Sequence, residues 1–173
     1  MVIGGFRTTY EVDVVDLSGQ NLTCSKPANY PIASGSVAAF VNGSVIVCGG
    51  CYNDTSDRTK DCYAYNNLED NWALAYSMLE PRYFASGVLL SDTQWWIVGG
   101  GAYPNVHNST ELLTSGTGFV SYTFLPKRDD VTGDIVRVNA SHFIYVTGKR
   151  LWSPSPLPHS SHTLRPAWSY CQL

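Results

Sequence analysis

Short apolar runs ending in a glycine pair recur along the chain. They are Val2-Ile3-Gly4-Gly5, Val45-Ile46-Val47-Cys48-Gly49-Gly50 and Trp95-Trp96-Ile97-Val98-Gly99-Gly100; a fourth, Phe143-Ile144-Tyr145-Val146-Thr147-Gly148, keeps one glycine. With Gly148 aligned to Gly5, Gly50 and Gly100, the spacings are 45, 50 and 48 residues. Self-similarity at such a period marks a repeat architecture. Other features keep the same phase. Before the glycine pairs, Ser36 to Val41 reaches the turn Asn42-Gly43, Val88-Leu89-Leu90 reaches Ser91-Asp92-Thr93, and Ile135 to Val138 reaches Asn139-Ala140. Asn-Gly between apolar runs is a strong two-residue hairpin signal. After each pair a polar loop leads to a third strand: Val12 to Asp16, Cys62 to Tyr65 and Glu111 to Thr114. A fourth strand follows, clearest over Trp72 to Tyr76 and Phe119 to Phe124. The pattern predicts an all-β fold of four short antiparallel strands per unit of about 48 residues, the make-up of a propeller blade. The predicted units are 1–31, 32–81, 82–127 and an incomplete 128–149.

Within this pattern, Val47 to Pro81 resembles a kelch repeat. It has an apolar strand, Gly49-Gly50, then Tyr65 and Trp72 with six residues between them, then Met78, Pro81 and Arg82. The following unit keeps Gly99-Gly100, Thr110-Glu111 and Leu125-Pro126 before Arg128, but carries Phe119 at the tryptophan place. The first keeps Gly4-Gly5 and Val14-Val15-Asp16, with Cys24 near that place. The resemblance covers residues 1–149 and implies a partial kelch-type β-propeller of about three blades. Closed propellers have 4–8 blades, so the remaining blades are expected outside this chain or from a partner that completes the ring. Residues 150–173 break the pattern. Ser153-Pro154-Ser155-Pro156-Leu157-Pro158 and Pro166 remove ladder donors and read as an irregular tail.

Composition narrows the class. Charged residues are 14% of the 173, aromatics 13%, and the net charge is −3. A pI near 5.7 excludes a broad basic surface for nucleic acid. No apolar run approaches the roughly 20 residues of a membrane span. Five N-glycosylation sequons start at Asn21, Asn42, Asn53, Asn108 and Asn139, whereas ten Asn among 31 Ser or Thr would give about two by chance. With five cysteines, this enrichment points to an extracellular protein. Met1-Val2-Ile3-Gly4-Gly5 carries no signal-peptide pattern, leaving a cytoplasmic location as the alternative.

The cysteines allow several pairings. Cys51 and Cys62 bracket one loop and form the expected disulfide, Cys24 and Cys48 the second; Cys48–Cys62 across adjacent strands is the main rival. Zinc is disfavoured because only one C-x2-C pair is present. Gly99-Gly100-Gly101 and Ser115-Gly116-Thr117-Gly118 lack the Lys-Ser/Thr ending of a phosphate loop. Glu69-Asp70, Asp129-Asp130, His107 and His142 form no acid–base or metal constellation. Neither a catalytic residue nor a cofactor is therefore predicted.

The longest loops, Cys51 to Asp61 and Ala102 to Ser109, offer Asn53, Asp57, Arg58, Lys60, Tyr103 and His107 for protein recognition. The expected function is a non-enzymatic protein-binding module. The resemblance also implies two alternatives: a substrate-recognition propeller of a ubiquitin-ligase adaptor, and a fragment of a galactose-oxidase-like copper enzyme.

Overall fold

A computed structural model describes residues 2–3, 10, 12–16, 23–32, 34–52, 57–102, 105–107, 109–124 and 133–147. These residues form strands and turns, with no helix among them. The first sheet, in the order β1-β2-β3, joins β1 (Val2–Ile3), β2 (Val12–Asp16) and β3 (Thr23–Ser25). The second joins β4 (Val37–Val41), β5 (Ser44–Cys48), β6 (Asp61–Asn66) and β7 (Asn71–Ser77) in chain order. The third joins β8 (Ser86–Ser91), β9 (Gln94–Val98), β12 (Ser109–Thr114) and β13 (Gly118–Phe124). Within its central loop, β10 (Gly101–Ala102) and β11 (Asn105–Val106) make a small hairpin that the sequence pattern does not announce. The fourth sheet is the hairpin of β14 (Gly133–Arg137) and β15 (Phe143–Thr147). Among the described residues all pairings are antiparallel, and no sheet closes on itself.

The expected four strands are thus complete in two units, while three strands are described in the first unit and two in the last. Local chemistry explains the turns. Asn42 and Gly43 take φ of 49° and 82°, the left-handed pair that a two-residue hairpin of matching twist requires. The turn after β6 spans residues 67–70. There the Asn66 carboxamide oxygen accepts from the Leu68 and Glu69 amides, and Asp70 closes the turn with φ of 48°.

The core lies between sheets. Successive residues of a strand point to opposite faces, and here both faces are apolar. Val47 joins Val12, Tyr30 and Ile32 between the first and second sheets. Ile46, Cys48 and Cys62 meet Trp95, Ile97 and Leu113 between the second and third. Trp96, Val98 and Leu112 meet Ile135, with Phe143 and Tyr145 against them, between the third and fourth. The first strands of neighbouring sheets touch, β4 against β8 and β8 against β14.

The glycine pairs sit where the second strand leaves its sheet. Gly49 and Gly50 have φ of 68° and 97°, conformations that side chains disfavour. A Cβ on Gly50 would also lie 2.4 Å from Ser36 Oγ and 2.6 Å from the Ser34 carbonyl. Gly4 and Gly5, the pair of the first unit, lie outside the described residues, as do residues 148–173.

Candidate functional site

Both long loops leave the glycine pairs at the same end of their sheets, where the segments joining one sheet to the next also run. The loop after β5 is pinned at its base. Cys51 N donates to the Ser34 carbonyl (2.9 Å), Thr59 N to Gly50 O (3.0 Å) and Met78 N to Lys60 O (2.8 Å). The loop after β9 is held likewise, by Gly101 N to Tyr83 O (3.0 Å) and His107 N to Gly100 O (3.1 Å). Equivalent places in two units therefore present loops from a fixed frame. Asp57 and Lys60 are exposed, and Arg58 and His107 half-buried. Asn53 and Tyr103 lie outside the described residues.

A buried ion pair stands beneath this end. Arg82, in the segment joining the second and third sheets, has Nη2 2.9 Å from Oε1 of Glu111 on β12, with both side chains inaccessible to solvent. Its Nε donates to the same oxygen (2.9 Å), Nη1 to the carbonyls of Gly99 (2.6 Å) and Ser109 (3.0 Å), and Nη2 to Ser109 Oγ (2.9 Å). Glu111 also accepts from the Leu79 and Glu80 amides (2.6 and 3.2 Å). Nearly every charge-bearing atom is satisfied, which a buried pair needs to offset desolvation. The clasp fixes the base of the second loop. Burial, and then the Arg82 charge, hold the His107 imidazole below its ordinary pKa. The sequence shows Pro81-Arg82 and Thr110-Glu111 as repeat landmarks, but nothing in their spacing, 29 residues apart, couples them.

One unit earlier the same joint is aromatic. Register pairs Tyr63 with Val47 as it pairs Glu111 with Ile97, so Tyr63 holds the clasp glutamate's place. Tyr30 packs edge-on against Tyr63 and Trp72, with centroids 6.0 and 5.0 Å away, and its hydroxyl donates to Val47 O (3.4 Å). Burial pushes the Tyr30 phenol well above the usual range. A hydrogen bond with Tyr52, then burial, raises Tyr63 to about 12. The two residues of the predicted landmark do meet: Tyr65 and Trp72 are register partners with rings 5.2 Å apart, and Trp72 Nε1 donates to Ala28 O (2.9 Å).

The disulfide expectation is corrected. Cys48 bonds Cys62, its direct cross-strand partner, with Cα atoms 4.0 Å apart. Neither Cys51–Cys62 nor Cys24–Cys48 forms, because β5 and β6 place Cys48 opposite Cys62 while Cys51 lies past the glycine turn. There its backbone bridges Ser34 and Arg58, and its buried free thiol is 3.3 Å from Ser34 Oγ. Of Cys24 only the backbone is placed, opposite Val15.

Two sequons fall on described, exposed turns. Asn42 occupies the β4–β5 hairpin. Asn139 accepts the Ser141 amide (2.9 Å) and hydroxyl (3.3 Å) at Oδ1. Asn21, Asn53 and Asn108 lie outside the described residues. Among those residues no group of three or more His, Cys, Asp or Glu is placed to hold a metal ion, and no helix is long and apolar enough to cross a membrane.

No family model matches the chain, and no curated protein matches it. A solved structure described as "Structure of YjhT" is similar, with a TM-score of 0.60 and 10% identity over 78% of this chain. The chain spans 56% of that protein's length. At this identity the likeness speaks for the fold alone.

Proposed function

We propose that the chain builds blades of a kelch-type β-propeller and binds a protein partner through the loops that follow its glycine pairs, in an oxidising, extracellular setting. The observation that carries this reading is the repeated frame. In two successive units the same register, glycine turn and backbone tethers mount a long loop at one end of the sheets. Contact between first strands of neighbouring sheets suits blades arranged about a common axis. The Tyr65–Trp72 contact suits the kelch resemblance. Loops that vary on a rigid scaffold are where binding resides in such folds. The Cys48–Cys62 bridge and the exposed sequon turns at Asn42 and Asn139 favour secretion over a cytosolic adaptor role.

The test compares proteins captured from culture medium by the wild-type chain and by a variant carrying Asp57→Ala, Arg58→Ala, Lys60→Ala and His107→Ala. A partner retained by the wild type and lost by a variant of equal melting temperature supports the reading. Identical capture by both overturns it. Growth in a secreting host also decides location: added glycan mass at Asn42 or Asn139, removed by Asn→Gln, is the expected result.

A further inference from the structure

The two long loops are tethered alike, but by different residues. The Cys51 N to Ser34 O bond corresponds to Gly101 N to Tyr83 O, and Thr59 N to Gly50 O corresponds to His107 N to Gly100 O. His107 thus stands where the first loop has Thr59, at the foot of the β10–β11 hairpin. The joints beneath them differ too. Register puts Tyr63 below the first loop, and Glu111, salt-bridged to Arg82, below the second. One loop is therefore fastened beside a buried ion pair by a residue that titrates near neutral pH, and the other is not.

The groups that face the imidazole are Glu80, the Pro81 carbonyl and Arg82 from the segment joining the second and third sheets, and Glu111 from β12. Glu111 is already engaged, by Arg82 and by the Leu79 and Glu80 amides. Arg82 is fixed in turn, donating to the carbonyls of Gly99 and Ser109 on either side of the hairpin. A second cation here meets a guanidinium that cannot withdraw. Burial, and then the Arg82 charge, outweigh Glu80, Pro81 and Glu111 and make the seated imidazole harder to protonate than a free one. Lifting the hairpin removes both costs. The lifted form binds the proton more tightly, so acid shifts the balance toward it. We propose that the β10–β11 hairpin is an acid-released element: protonated His107 parts from the Arg82–Glu111 clasp, the Gly101 and His107 tethers open, and the second loop loses its binding shape below neutral pH. The consequence for binding rests on the reading of the loops as a partner site; release of the hairpin does not.

Amide hydrogen exchange of the full chain, resolved by NMR and corrected for intrinsic rates, tests the release between about pH 8 and about pH 5. The expected result is a loss of protection at Gly101 and His107 as pH falls, while Cys51 and Thr59 keep theirs. His107→Thr, which installs the first loop's own residue, abolishes the difference. If that variant does not fold, Glu80→Gln decides, because removing a carboxylate that favours the charged ring deepens the loss. Parallel behaviour of all four amides overturns the proposal, as does a difference that survives His107→Thr or that Glu80→Gln leaves unchanged. A partner captured at neutral pH is expected to leave the wild-type chain in a wash at about pH 5. A partner retained through that wash, while the hairpin amides lose protection, overturns the link to binding. A chain that captures no partner at all refutes the loop-binding reading instead, and the exchange result still decides the release.

Discussion

Arg82 and Glu111 show how much one joint depends on single side chains. Glu111→Ala strands the buried guanidinium and leaves the Leu79 and Glu80 amides without their acceptor. Breaking a buried pair from one side costs about 3–5 kcal/mol. Denaturant melts should place the variant that far below wild type, while an apolar pair, Arg82→Met with Glu111→Leu, should recover much of the loss. Gly50→Ala meets both a φ of 97° and close contacts to Ser34 and Ser36. It should destabilise by about 1–3 kcal/mol, whereas Gly43→Ala, in open space, carries only the φ cost. His107 adds a pH dependence. Its folded pKa lies below the ordinary 6.5, so the folded chain binds this proton less well than the unfolded one. Its share of stability is complete above the unfolded value and is lost as pH falls through 6.5 toward the folded value. Thermal melts from pH 8 down to about 5 should therefore decline less steeply for His107→Gln. The clasp itself was not legible in the sequence. A buried ion pair leaves no periodic mark, and Glu111 stands in a run, Thr110-Glu111-Leu112-Leu113, that reads simply as a strand.

Strands and turns were far more readable. Alternation about Asn42-Gly43 gave β4 and β5 to within a residue, because a left-handed two-residue turn leaves few alternatives. The third and fourth strands are legible from the β-rich segments that follow the polar loops, Cys62 to Tyr65 with Trp72 to Tyr76 and Glu111 to Thr114 with Phe119 to Phe124. The β10–β11 hairpin was missed because two-residue strands have no period to read. The disulfide pairing is hidden from the sequence for a related reason. Loop length favours no pairing strongly, and only the register of β5 against β6, set by long-range pairing, places Cys48 opposite Cys62. Closing the loop between residues 48 and 62, 14 apart, stabilises by about 3 kcal/mol in the chain-entropy model. Reduction, or Cys48→Ser with Cys62→Ser, should lower the urea midpoint accordingly, while Cys51→Ser, outside the bridge, should keep the same drop in midpoint on reduction. The buried phenol of Tyr30 offers a further check. Its absorbance should not ionise in step with exposed tyrosines in an alkaline titration, and should appear only when the first and second sheets separate.

At the scale of the molecule, four sheets share three apolar layers, each built from alternate residues of the same second strands. Little of any sheet's stability is its own, since both faces of β5 and β9 are buried against neighbours. Unfolding should therefore be cooperative from the first to the third sheet. Trp95→Ala, removing a fully buried indole between the second and third sheets, should cost about 3–5 kcal/mol and lower fluorescence and circular-dichroism transitions together. The repeat, and with it the stacking order, was plain in the sequence because the glycine pairs punctuate it. How the sheets incline to one another was not, since inclination depends on side-chain volumes in the layers rather than on spacing. That inclination is also the centre of the account. A crystal structure of the chain measures it directly. The propeller reading predicts that β4, β8 and β14 converge on one axis while β7 and β13 spread apart at the rim. Successive sheets stacked parallel, with inner and outer strands equally spaced, would contradict it.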